Sequence, residues 1–150
     1  GLEETLFNRE EVSRLERAIP HSKLLILARY SLNRLELTLQ GTRFGEVAYI
    51  HPDDANPENW PINSATGAQE SRDQIFGAKW LTNLEAAVNF NTYKQNSIRA
   101  AIGATNILDI YPDKHKHSSN ISHGRFVYSR RVQQFGVEGA MGYAKIDIHF

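Results

Sequence analysis

Three histidines cluster near the end of the chain, His115, His117 and His123 in KHKHSSNISHG. His115 and His117 stand two apart, a spacing that can chelate zinc or copper or touch haem. The chain has no cysteine to complete such a site, and no further ligand is defined. A polar loop is the plainer reading, so no metal and no cofactor is assigned. Arg125, Arg130 and Arg131 could meet an anionic ligand, with solvated loop charge as the alternative. Trp60, in PENWPIN, is either a platform for a ligand or an anchor for its own loop. Asn106 and Asp109, in NILD, suit turn chemistry at a strand end, where short polar side chains bond local backbone; ligand contact is the alternative. Ser71, His51 and Asp53 are close in sequence, but a catalytic triad is defined by geometry and no motif supports one. No nucleophile, base and acid fall together, and an enzyme is not expected.

The elements that position these residues read mostly as strands. Residues 143–150 alternate without a break: Ala144, Ile146, Ile148 and Phe150 against Tyr143, Lys145, Asp147 and His149. A period of two marks a strand with unlike faces. The same period runs through Ser22–Tyr30 (Leu24, Ile26, Ala28, Tyr30) and Leu35–Tyr49 (Leu35, Leu37, Leu39 against Glu36, Thr38, Gln40). Leu32-Asn33-Arg34 makes the tight reversal between them, with Asn where positive φ is tolerated. Ile75–Phe90 sets Trp80, Leu84, Ala86, Val88 and Phe90 against Lys79, Asn83, Glu85 and Asn89. Ser97–Ile110 sets Ile98, Ala100, Ile102 and Ala104 against Arg99 and Thr105. Before the strands, Asn8 and Glu11 have capping-box spacing. They predict a short helix from about Arg9 to Ala18, with Val12, Leu15 and Ile19 on one face and Pro20 ending it.

Composition sets broad limits. One hundred and fifty residues suit one domain by length. Lys+Arg 17 against Asp+Glu 17 gives no electrostatic case for nucleic acid. There is no apolar run of membrane-helix length and no signal peptide, tests that a membrane β-barrel leaves blank. Gly1 follows no initiator Met and begins in mid-pattern, which suggests a piece of something longer; a cut made for expression looks the same.

The layout points further. Several strands read as about 14–16 residues, beyond the ~5–6 typical of globular sheets. Connections alternate between short (Leu32–Arg34, Asn91–Asn96) and long and polar (Ile50–Gln74, Tyr111–Gln134). Loops of the second kind tend to be functional or disordered. Short turns at one end, long loops at the other and an apolar-out, polar-in dyad describe an outer-membrane barrel. Tyr30, Tyr49, Phe76, Phe90 and Phe150 would form its interfacial girdles. The alternative is a soluble antiparallel β ligand-binding domain whose apolar faces meet one another.

The runs FGAKWLTNLEAAVNF, AAIGATNILDIYPDK and FGVEGAMGYAKIDIHF, in this order, resemble the C-terminal barrel strands of TonB-dependent outer-membrane receptors. LFNREEVSRLERAIPHSK and GTRFGEV are similar to that family too, so the resemblance covers essentially the whole chain. It implies an all-β fold of antiparallel up-and-down strands, the last five of a barrel of about 22, with a short N-terminal helix in a loop. Residues 1–150 would be the C-terminal part of the barrel, with the plug domain and earlier strands outside the chain. The resemblance also implies bacterial outer-membrane localisation and energised uptake of a scarce small ligand of the iron-siderophore, haem or cobalamin type. Implied partners are outer-membrane lipid, the rest of the barrel and plug, and the assembly machinery, which would read Ile146, Ile148 and Phe150. TonB would be met only through regions outside these residues. Lipopolysaccharide joins the anions that Arg125, Arg130 and Arg131 could meet.

Overall fold

The structure is a computed structural model that describes residues 7–63, 66–91, 97–116 and 127–149. It is mostly antiparallel β-sheet with one short α-helix, and neither of its two sheets is closed. The chain divides into two compact units rather than the single domain that its length suggests.

The first unit is the sheet built from residues 23–44, 79–111 and 138–150. Its strands are β1 (Lys23–Leu32), β2 (Leu35–Phe44), β5 (Lys79–Asn91), β6 (Ser97–Thr105) and β7 (Met141–His149), in that spatial order. All neighbours run antiparallel. The β1–β2 hairpin turns on Asn33, whose φ is +53°. That left-handed conformation is one that Asn tolerates better than most residues because its short amide can bond nearby backbone. The register keeps unlike faces apart. Ile26, Leu39, Leu84, Ile102 and Ile146 lie on one face, and Arg29, Thr38, Glu85, Gly103 and Tyr143 on the other.

Much of the sheet's apolar face is exposed. Ile102 is 67% exposed and Ile146 69%, and Leu24, Ile26, Leu39 and Ile148 are exposed beside them. On the polar face, Ala87 is 1% exposed and Ala101 7%. These alanines sit in a row between Glu36 and Lys145, so long charged side chains, not apolar ones, cover the sheet. On the apolar face the Trp80 ring lies 3.5 Å from where a Cβ on Gly41 would stand. It packs flat on bare backbone there.

The second unit gathers residues 1–22, 45–78 and 112–137. It contains α1 (Arg9–Arg17), the two-stranded sheet of β3 (Val47–Tyr49) and β4 (Gln74–Phe76), and the 3-10 turns η1 (Pro52–Ala55), η2 (Pro57–Asn59) and η3 (Arg130–Phe135). Its small core is Val47, Ala48, Phe76, Val132 and Phe135, all buried. The Asn8 side chain caps α1 by accepting from Glu11 N at 2.9 Å. Arg9 pairs with Asp73 and donates to His51 O, and Glu10 approaches Arg131.

Several expectations change. Among the described residues no strand reaches 14–16 residues: the five of the larger sheet measure 10, 10, 13, 9 and 9. Leu35–Tyr49 breaks at Gly45-Glu46, and Ile75–Phe90 breaks at Gly77-Ala78. The outer pieces pair with each other as β3 and β4, because Gly45 N bonds Ser22 O and Gly77 N bonds the Asp113 carboxylate instead of a sheet partner. Ser97–Ile110 stops at Thr105, since Asn106 takes φ +47° and Asp109 +54°. Tyr49 and Phe76 belong to the second unit, Phe76 being fully buried, so neither stands in a girdle with the exposed Tyr30 and Phe90. The predicted apolar face of α1 is the uncovered one: Leu15 and Ile19 are exposed and Ser13 is buried. The Arg9 and Glu10 contacts set the roll of the helix.

Candidate functional site

The polar face of the five-stranded sheet carries one connected set of charges. Arg99, on β6, donates from Nη2 to Glu85 Oε1 on β5 at 2.7 Å. Its Nε lies 3.7 Å from Glu36 Oε2 on β2, and its Nη1 lies 3.7 Å from Asp147 Oδ2 on β7. Lys145 Nζ is 3.0 Å from Asp147 Oδ1. Four strands are thus linked through a single guanidinium, whose planar fork can serve several carboxylates at once.

Tyr143 completes the set. Its hydroxyl donates to Glu85 Oε2 at 2.8 Å, reaching across β6 to β5. The residue crossed is Gly103, the register partner of both Tyr143 and Glu85. A Cβ on Gly103 would stand 2.5 Å from the phenol carbon bearing the hydroxyl. Only glycine leaves the ring room to lie flat here. With Arg29, Thr38, Gln40 and Asn83, these groups line a shallow hollow. Its Glu36, Glu85 and Arg99 charges are partnered within 4 Å and its surface is wettable. Chemically it can line water and hold its strands in register.

Asn106 and Asp109 end β6. Asn106 Nδ2 donates to Ile110 O at 2.8 Å and Glu138 O at 3.3 Å, and its Oδ1 accepts from Ile110 N at 3.0 Å. Asp109 Oδ1 accepts from Ala140 N at 2.8 Å. Both side chains are engaged with backbone, and they tie the end of β6 to the approach to β7. Ile146 and Ile148 stand on the exposed apolar face, and Phe150 lies outside the described residues.

The remaining candidates fall in the second unit, where His115, Arg130 and Arg131 line one cavity. His115 packs edge-on to Tyr49, ring centroids 4.8 Å apart, and to Phe76 at 6.0 Å. His117, His123 and Arg125 lie outside the described residues. Among the described residues no three His, Cys, Asp or Glu side chains stand close enough to hold a metal ion. Trp60 donates from Nε1 to Asp54 O at 3.1 Å and so anchors its loop. Ser71 gives its hydroxyl to Asp54 Oδ2 at 2.9 Å, not to a histidine. Arg130 is exposed, and Arg131 is buried.

Asp54 organises the loop from Ile50 to Gln74. It is buried and accepts from Ser71 Oγ, Arg72 N, Arg72 Nε and Arg72 Nη2. Burial alone would raise its pKa. The Arg72 and Ser71 hydrogen bonds outweigh that and hold the carboxyl below the ordinary aspartate range. Burial, then the Glu10 carboxylate, pushes the Tyr49 phenol up despite Arg131 nearby.

Glu85, Arg99, Lys145 and Asp147 were legible as one polar face from alternation alone. The Tyr143–Gly103 stack was missed, although a strand tyrosine and a strand glycine on like faces are the available signal. Asp54 was missed because its partners lie 17 and 18 residues away. Neither a family model, nor a curated protein, nor a solved structure matches the chain.

Proposed function

We propose that the five-stranded sheet is a sector of a transmembrane β-barrel, the last five strands of about 22, in a TonB-dependent outer-membrane receptor. The observation that carries this reading is the reversed covering of the sheet. Isoleucines and leucines are bare on one face while a bonded charge lattice covers the other. In water, so large an exposed apolar face costs free energy and marks a partner or a membrane. In lipid it is the required solvent-facing surface. Strand lengths of 9 to 13 residues agree with the ~9–11 needed to span a bilayer at a tilt. A barrel has no edges, so β1 and β7 would pair with strands outside this chain.

In that setting the Arg99 lattice lines a watered lumen. Segments 45–78 and 112–137 of the second unit supply the long connections. The receptor would import a scarce small ligand of the siderophore, haem or cobalamin type. Energy coupling would come through the plug and TonB, and Ile146, Ile148 and Phe150 would be read by the assembly machinery.

Light scattering with circular dichroism, in plain buffer and then in detergent, tests the reading. Association in buffer with a cooperative β-fold only in detergent is expected. A monodisperse, cooperatively melting monomer in buffer would overturn it in favour of a soluble β domain.

A further inference from the structure

We infer that the second unit contains a binding site for a small carboxylate anion, with Arg131 as its receiving group. Arg131 is 8% exposed. Its backbone is pinned on both sides: Arg131 N donates to Ser129 Oγ, and Arg131 O accepts from Gln134 Nε2 at 2.7 Å. The central carbon of the guanidinium stands 5.3 Å from the centroid of the Tyr49 ring, a cation–π contact that offsets part of the cost of burial. Nη2 lies 3.6 Å from Glu10 Oε1, an ionic approach beyond hydrogen-bond reach. Among the described residues Nη1 meets no acceptor. A buried donor left in that condition costs free energy that an oxyanion would recover.

Arg131 lines a cavity with Tyr49, Tyr128, Arg14, Arg130 and the two glutamates of the α1 first turn, Glu10 and Glu11. Arg14 is committed to Glu11. Three arginines against two glutamates leave one positive charge, which one monovalent anion neutralises. A dianion would carry excess charge beside Glu10. A carboxylate oxygen can accept a charge-assisted hydrogen bond from Nη1, the donor that meets no acceptor among the described residues. The rings of Tyr49 and Tyr128 suit a ligand with an apolar body behind its carboxylate. The reading of Arg131 as solvated loop charge therefore gives way. The site belongs wholly to the second unit and does not rest on the barrel reading.

The test titrates the full chain, in the medium where it folds, with benzoate, its uncharged isostere benzamide, and inorganic phosphate, by calorimetry. Benzoate should saturate with Kd of about 1 mM or tighter, and Arg131→Lys should weaken it about tenfold with the melting curve unchanged. No saturable benzoate binding, equal binding of benzamide, tighter binding of phosphate, or unchanged affinity in the lysine variant would each overturn the site. Should the lysine variant fail to fold, Arg130→Gln removes the exposed balancing charge and should weaken benzoate about threefold. Unchanged affinity there would overturn the charge argument. Failure of the barrel reading would show instead as a buffer-soluble monomer, with benzoate binding intact.

Discussion

The two units of this chain bury opposite kinds of surface. In the second, Phe76, Val47 and Val132 are fully buried, and charge is held at the edges, in a closed set of hydrogen bonds at Asp54, or buried against Tyr49 at Arg131. That is how a small water-soluble fold is assembled. In the sheet, leucine and isoleucine stand bare and only alanines and a threonine are well covered, beneath charged side chains. One chain thus follows two opposite rules of burial. The hydrophobic residues of a sequence say which face is uniform; they do not say which solvent that face meets.

Breaking each unit at its own centre should separate the two. Asp54→Ala leaves Arg72 without its buried partner and should destabilise the second unit by about 3–5 kcal/mol. Amide hydrogen exchange would then accelerate in β3 and β4 and stay slow in β5 and β6. Equal acceleration in both sheets would mean that the units are not independent in stability. Acid should act on the same residue. Asp54 has a folded pKa below its ordinary value, so its contribution is complete above the ordinary carboxylate range. It is lost as pH falls through the folded value. Melting curves from roughly pH 5 down to pH 2 should show a loss that Asp54→Asn flattens; an unchanged acid limb in that variant would argue against it.

Ile102→Arg puts a charge on the bare face and should cost about 2–4 kcal/mol if that face meets lipid. On the barrel reading, surface levels of the whole receptor, measured by protease shaving, should collapse. Normal levels would count against lipid contact. A smaller effect is expected at the lattice. Gly103→Ala places a methyl against the Tyr143 ring and should cost about 1–3 kcal/mol, read from denaturation in detergent. Tyr143→Phe keeps the stack, loses only the bond to Glu85, and should cost less. A larger loss for the phenylalanine variant would show that the hydroxyl, not the flat ring, holds the strands.

How much was legible follows from the range of each signal. Alternation is local, so Ile98, Ala100 and Ile102 against Arg99, and Ala144, Ile146 and Ile148 against Lys145 and Asp147, placed both faces correctly. The breaks at Gly45 and Gly77 were hidden because Val47 and Phe76 continue the apolar pattern in phase, while their pairing changes through contacts with Ser22 and Asp113. Asn106 was visible as an interruption, but the end of β6 required its positive φ. Arg131 looked like any loop arginine, because burial in a unit drawn from three separated segments is set by contacts that no short window contains.

The two tryptophans fall one to each unit. Trp60 is held against Asp54 O, whereas Trp80 lies on Gly41 with much of its indole uncovered on the apolar face. Indole emission moves to shorter wavelength as its surroundings lose water, so the molecule carries a separate optical label for each of its two environments. Transfer from detergent-free solution into bilayers should shift the Trp80 emission, isolated in a Trp60→Phe variant. Trp60, isolated by Trp80→Phe, should stay unmoved until acid opens its loop.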